Sequence, residues 1–179
     1  MAQLSFKIDL TKCVGCKACE VACKSENNTP TGVRYRQVME VLEGTYPKLS
    51  KTFVTMACFH CKDPACVKAC PTGACHKEPG HGIVMIDQNV CIGCRRCVAA
   101  CPYGAPQYNF TTGKTEKCTF CYTRIIDQDG NLIPGMAPAC VTSCTGRALT
   151  FGEDSGDFGD VPPNFANPAL TKPAVTFTK

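Results

Sequence analysis

Tryptophan is absent from this chain, and leucine occurs only seven times in 179 residues. An ordinary aliphatic interior would be thin at that length, so something else has to fill the core. No run approaches the roughly 18 apolar residues of a membrane-spanning helix, which leaves any membrane contact to a partner. The residues before Phe6 do not read as a cleavable leader, so none is expected. There is no glycine-rich phosphate loop and no nucleophile beside a base, so substrate chemistry is expected to belong to another protein. Neither sign of charge dominates, since 19 Lys and Arg against 15 Asp and Glu leave a formal +4.

Cysteine is what the chain has in excess, with 17 residues. A disulfide framework is a poor account of them. Their number is odd, no secretion signal accompanies them, and they fall in tight groups. The first group is CVGCKACEVAC (Cys13, Cys16, Cys19, Cys23) and the second CFHCKDPACVKAC (Cys58, Cys61, Cys66, Cys70). The third is CIGCRRCVAAC (Cys91, Cys94, Cys97, Cys101). The fourth is split between CTFC (Cys118, Cys121) and CVTSC (Cys140, Cys144), leaving Cys75 over.

Groups one and three have the spacing C-x2-C-x2-C-x3-C. In that run three thiolates wrap one iron-sulfur cluster and the fourth reaches a neighbouring one. Gly15 and Gly93 suit a backbone curled round an inorganic cube. Four zinc sites would also use sixteen thiolates, but zinc ligands come as separated C-x2-C pairs, and a crowded third and fourth cysteine suit adjacent cubes better. Four 4Fe-4S clusters at about −2 each would take the chain from +4 to about −4, which removes the case for a nucleic-acid partner.

The segments IDLTKCVGCKACEVAC and IDQNVCIGCRRCVAAC align without gaps 78 residues apart. The match points to duplication of a strand, a cluster loop and a short helix. FKIDL and GIVMID read as the strands that enter the two loops. Proline follows Cys70 and Cys101 but not Cys23 or Cys144. A proline there ends the helix and keeps the fourth thiolate aimed at the other cluster.

That difference pairs groups two and three as one module and groups one and four as another, the first nested in the second. The expected ligand sets are Cys13, Cys16, Cys19 and Cys144; Cys118, Cys121, Cys140 and Cys23; Cys91, Cys94, Cys97 and Cys70; and Cys58, Cys61, Cys66 and Cys101. The expected fold is α+β, with two ferredoxin-like two-cluster modules and long loops. The cluster domain is expected over residues 1–151, the outer module at about 1–50 and 110–151 and the inner at about 51–109. Residues 152–179, rich in proline, read as an extended arm packing on a partner.

Outside the ligand set, Cys75 reads as a small buried thiol, and His60, His76 and His81 as surface or cluster-tuning residues. Lys17, Arg95, Arg96, Lys117 and Arg124 are either solvated or placed to raise a cluster's potential. The segment between Cys121 and Cys140 reads as a surface excursion with a turn at Asp129-Gly130.

CVGCKACEVACK, CFHCKDPACVKACPTGA, VCIGCRRCVAACPYGAPQYN, KCTFCYTR, PACVTSC and the late LTKP cover nearly the whole chain. Together they resemble the four-cluster iron-sulfur subunits of the dimethyl sulfoxide reductase family of molybdenum or tungsten bis-pterin oxidoreductases. Within that family the likeness is greatest to the iron-sulfur subunit of anaerobic dimethyl sulfoxide reductase. Two features set limits to it. The family places proline after the last ligand where this chain has CTGRAL, and the tryptophan that gives the related nitrate reductase subunit a three-iron cluster is missing.

The resemblance implies a non-catalytic subunit carrying four 4Fe-4S clusters. It would relay electrons between a molybdopterin-type catalytic subunit, S-oxide or N-oxide reductase-like, and a quinol-linked membrane anchor or a soluble redox partner. An electron-transfer subunit of a formate dehydrogenase or hydrogenase is the alternative within this class, and a zinc-stabilised interaction module the alternative from another. The resemblance also implies a place at the cytoplasmic membrane of a prokaryote, on the periplasmic face if exported with the catalytic partner, with the cytoplasm as the alternative.

Overall fold

The computed structural model describes residues 3–179; residues 1 and 2, with which the expected outer module begins, lie outside the described residues. In chain order come strand β1 (Leu4–Asp9), helix α1 (Ala18–Asn27), and a hairpin of β2 (Arg36–Thr45) and β3 (Lys48–Ala57). Helix α2 (Ala65–Lys68), a short hairpin of β4 (Cys75–Lys77) and β5 (Val84–Ile86), and helix α3 (Arg96–Ala100) follow. A third hairpin of β6 (Gln107–Asn109) and β7 (Lys114–Glu116) leads to helices α4 (Tyr122–Ile125) and α5 (Ala139–Thr142). Strands β8 (Leu149–Glu153) and β9 (Val175–Thr178) complete an α+β architecture of small sheets and short helices.

Strand β1 is the middle of the one three-stranded sheet among the described residues, antiparallel to β8 and parallel to β9. Leu4, Phe6 and Ile8 alternate inward along it and are fully buried, as the period of two in a half-buried strand requires. FKIDL and GIVMID thus lie on β1 and β5, each leading into a cysteine loop.

Proline shapes the helix ends. Helix α3 stops at Ala100, and Cys101 is already extended at φ −83° and ψ 115°, the conformation a following proline imposes. Helix α1 carries no such stop and continues past Cys23 to Asn27. After Cys101 the chain turns through Pro102 and Gly104 to set Tyr103 against Phe165, with ring centroids 4.9 Å apart. The Tyr103 hydroxyl is 2.8 Å from that of Thr171.

Aromatic rings supply what leucine does not. Phe6 stacks on Phe120 at 4.3 Å, and Phe59 meets Tyr103 at 5.3 Å and Phe177 at 6.2 Å. Phe6, Phe59, Phe120 and Phe177 are all fully buried, whereas Leu42, Leu49, Leu132 and Leu170 are exposed. A buried phenyl ring covers more area than a leucine, so few residues suffice.

Two features differ from the sequence expectations. The ten-residue strands β2 and β3 pair from Arg36 opposite Ala57 to Thr45 opposite Lys48, so a boundary between residues 50 and 51 falls inside β3. The C-terminal segment finds an ordering surface on its own chain: Val175 and Phe177 are buried as β9 adds beside β1. Their alternation with Thr176 and Thr178 is a strand pattern that the preceding prolines overshadow.

Phe177→Ala is therefore expected to destabilise the protein by about 3–5 kcal/mol. The thermal midpoint of the circular dichroism signal should fall clearly, while Leu170→Ala on the surface of the same segment should leave it nearly unchanged.

Candidate metal centres

The first C-x2-C pair of each of the four cysteine groups bends in the same way. The residue just before the second cysteine is left-handed: Gly15 at φ +69°, His60 at +44°, Gly93 at +67° and Phe120 at +61°. Glycine takes this conformation freely, whereas a side chain costs about 1–2 kcal/mol there. The bend turns amide hydrogens inward, so that His60 N donates to Cys58 Sγ at 3.5 Å and Phe120 N to Cys118 Sγ at 3.4 Å. Such N–H groups stabilise sulfur when it is anionic.

The repeat is visible in the backbone as well. Lys17 and Arg95, equivalent in the two aligned segments, both have φ 60° and ψ 8° just before α1 and α3. At Gly93 a methyl group would lie 2.2 Å from the Gly113 carbonyl oxygen, a backbone atom that cannot move aside; at Gly15 it would meet the ring of Phe53.

The cysteines gather in four places. Cys13, Cys16, Cys19 and Cys144 line one small cavity. Cys70, Cys91, Cys94 and Cys97 line another, together with Cys75. Fully buried Cys118 feels the sulfurs of Cys23, Cys140 and Cys58, and Cys23 in turn those of Cys140, Cys121 and Cys19. Cys61 is flanked by Cys58, Cys101 and Cys66. Among the described residues, no three His, Cys, Asp or Glu side chains converge on a point that one ion could occupy.

Burial controls the thiols. It pushes Cys23 and Cys61 each up to about 12, reinforced by the neighbouring sulfurs, so a free thiol at either position keeps its proton at neutral pH. Metal ligation must displace that proton. The two pKa shifts are upward, so the metal-free protein would bind metal more readily as pH rises.

Charge neighbours across the four gatherings give them an order. Cys19 lies within electrostatic reach of Cys140, Cys118 of Cys58, and Cys97 of Cys66. The two outer sets hold the two exposed cysteines, Cys16 and Cys94. Val14 and Ile92 beside them are 65% and 66% exposed.

Two cations lie buried among these sulfurs. Lys117 donates to the carbonyls of Val84 and Cys118, the latter at 3.0 Å. Burial opposes its charge, but the sulfurs of Cys58, Cys118, Cys75 and Cys66 outweigh burial and hold its pKa above the usual lysine value. Arg36 donates from Nη1 to the Thr55 hydroxyl at 3.0 Å, while its Nε and Nη2 are buried with no partner. Buried, unpaired N–H groups with cysteine sulfurs nearby are what anionic clusters require, so the residues present fit four 4Fe-4S groups.

The remaining candidates are more ordinary. His60 is fully buried and held neutral by that burial and by Lys117; its Nδ1 accepts from Val84 N at 3.0 Å. Arg124 pairs with Glu26 at 2.9 Å, and Arg95 stacks over the Tyr108 ring at 3.8 Å. Lys17 lines the first cavity. His76 Nδ1 lies 3.1 Å from the Ala74 carbonyl, and His81 Nε2 2.9 Å from that of Gly130. Gly130 sits at φ +81° in the turn after Asp129. Nothing in the structure assigns a role to Arg96.

Cys75 is buried against Cys66, and the proton of this pair stays on Cys75. The closeness of the two thiols holds Cys66 below the ordinary range and Cys75 above it. Arg36 carries no spacing signal in RYRQ that would distinguish it from Arg34, which is half exposed.

The 4Fe-4S dicluster domain family matches residues 49–154, and a second 4Fe-4S dicluster family matches residues 12–74. The sequence is 41% identical over 187 residues to a component of the anaerobic dimethyl sulfoxide reductase of Escherichia coli K12, covering 97% of this chain and 87% of the relative. It is 39% identical to a component of the selenate reductase of Mesobacillus selenatarsenatis, over 92% of this chain and 65% of that one. It is 34% identical to the arsenate respiratory reductase iron-sulfur subunit of Shewanella sp. ANA-3, over 84% and 82% respectively.

Gly93→Ala should lose about a quarter of the iron bound by air-free protein, because the strained turn and the Gly113 carbonyl leave no room for a methyl group. Cys75→Ala should keep the full iron and sulfide content. Both are read by iron and labile-sulfide analysis, and a full complement in Gly93→Ala would contradict the role given to that turn.

Proposed function

The protein belongs to the 4Fe-4S dicluster family of reductase iron-sulfur subunits, and from that membership we propose how its sixteen grouped cysteines divide among the clusters and where electrons enter and leave. It is an electron-transfer subunit with four 4Fe-4S clusters, relaying electrons to a molybdopterin-type catalytic subunit rather than transforming a substrate itself. When bound, the clusters supply one-electron carriers; the polypeptide holds them, sets their surroundings and keeps water from the inner ones.

The ligand sets we infer are Cys13, Cys16, Cys19 with Cys144; Cys118, Cys121, Cys140 with Cys23; Cys58, Cys61, Cys66 with Cys101; and Cys91, Cys94, Cys97 with Cys70. Each set takes its last ligand from a different cysteine group, so the inner module nests within the outer one. The shared cavities and sulfur neighbourhoods support this division. The observation that carries the reading is the succession of the four sets, with Cys16 and Cys94 exposed at its two ends. On this reading the ends are where electrons are exchanged with partners, and the two middle sets are insulated.

We assign one end to the catalytic subunit, S-oxide or N-oxide reductase-like, and the other to a quinol-linked membrane anchor or a soluble donor. Among the described residues no helix is long and apolar enough to cross a membrane. The part of residues 152–179 outside β9 is assigned to packing on a partner, and the site of action to the cytoplasmic membrane, on its periplasmic face if the chain is exported with the catalytic subunit and on its cytoplasmic face otherwise.

Air-free protein is expected to hold about sixteen irons and sixteen sulfides per chain and to copurify with a pterin-bearing subunit. Cys13→Ser and Cys144→Ser should alter the same paramagnetic signal, and Cys23→Ser that of Cys118→Ser. Cys13→Ser and Cys23→Ser altering one signal would overturn the division; copurification with a nickel-iron subunit would overturn the choice of partner.

A further inference from the structure

Arg36 is the largest fully buried side chain among the described residues, yet it is a cation. A buried charge is tolerated only where an opposite charge and hydrogen bonds compensate for lost water. The ion pairs among the described residues do not include Arg36. One face of its guanidinium is covered by the Phe6 ring at 4.4 Å, which fixes its plane and contributes a little to its stabilisation. Nη1 is fixed by the Thr55 hydroxyl at 3.0 Å, and that hydroxyl is itself 3.8 Å from Cys19 Sγ.

The charges that face Arg36 are the sulfurs of Cys140, Cys118, Cys19 and Cys23. Cys19 belongs to one outer set, and the other three to the set next to it. Arg36 therefore sits where two ligand sets adjoin, and its unpaired Nε and Nη2 are the hydrogen-bond donors left over at that junction.

We propose that Arg36 is the shared counter-cation of these two neighbouring clusters, donating Nε and Nη2 hydrogens toward their sulfur and raising the reduction potential of both. The inference rests on the ligand sets proposed above. Its physical basis is simple. Reduction adds one electron to a cluster, so a cation fixed nearby in a low-dielectric interior stabilises the reduced form more than the oxidised one. Arginine keeps its charge throughout the accessible pH range, so no proton is taken up or released at Arg36 when the electron arrives. Thr55 and Phe6 are positioning groups that hold the guanidinium in place.

The test is a redox titration of air-free holoprotein, poised with dithionite and followed by paramagnetic resonance, on the natural chain, Arg36→Met and Arg36→Lys. Loss of the charge is expected to reduce the one-electron equilibrium constant by at least tenfold, about 59 mV, for the two clusters flanking Arg36. The cluster held by Cys91, Cys94, Cys97 and Cys70 should not move, and Arg36→Lys should restore most of the shift. Unchanged potentials at full iron content, or an equal shift of all four clusters, would overturn the proposal.

If Arg36→Met fails to assemble, the natural protein grown with arginine labelled with nitrogen-15 in its guanidinium groups decides the matter. Nitrogen coupling to a reduced cluster, altered in Arg36→Lys, supports the proposal, and its absence ends it. Cys19→Ser and Cys140→Ser identify the two signals. If both alter one signal the ligand division fails, while the effect of Arg36 is still read from whichever signals these variants change.

Discussion

Burying anionic sulfur is the constraint on which the structure depends. Four clusters bring roughly −8 of charge into a chain of 179 residues, and charge removed from water must be answered locally. The chain answers in three ways: amide hydrogens turned inward, two buried cations, and aromatic rings that exclude water without adding charge. Arg36 lies over Phe6, Phe6 stacks on Phe120, and His60 meets Phe120 edge-on at 5.3 Å, so cation and rings form one interior between the cysteine sets. A leucine core would fill the same space but could not hold a guanidinium in a fixed plane.

The backbone bears a cost for the same reason. His60 and Phe120 occupy a conformation that glycine would take freely, yet both side chains are fully buried where the interior needs them. His60 accepts a hydrogen bond from β5, and Phe120 stacks on β1. Packing thus offsets strain at these two loops, while Gly15 and Gly93 in the other two avoid it. On the proposed division the difference follows depth: the glycine loops belong to the outer sets, and the bulky ones to the inner sets.

Much of this was legible in the cysteine spacing. A C-x2-C-x2-C-x3-C run constrains ligand geometry so strongly that the repeat, the loops and the entering strands of GIVMID and FKIDL can be read from it. Other features were not. VMEVLEG and KTFVTM have the alternation of paired strands with a turn near Tyr46-Pro47, but their outer half is exposed and carries no cysteine to mark its importance. Arg36 and Lys117 are chemically indistinguishable in sequence from exposed residues such as Arg34 and Lys12. Their burial depends on pairings far apart in the chain, Arg36 opposite Ala57 and Lys117 beneath Val84.

Duplication explains why the ends of the row are alike and its middle is not. Cys16 and Cys94 are equivalent positions of the aligned segments, each exposed and each next to an exposed aliphatic residue, Val14 or Ile92. On the proposed division, the two copies present these loops outward and meet through the sets that contain Cys118 and Cys58. Those sets are filled by the less regular cysteine groups, whose wider spacing is free to follow the interior instead of the repeat. An outward loop needs a surface that a partner can cover, whereas an inner one needs a cation and a ring. The single ancestral unit could supply the first, but the second had to come from residues outside it: Arg36 from the hairpin, and Lys117 and Phe120 from the segment that follows the second copy.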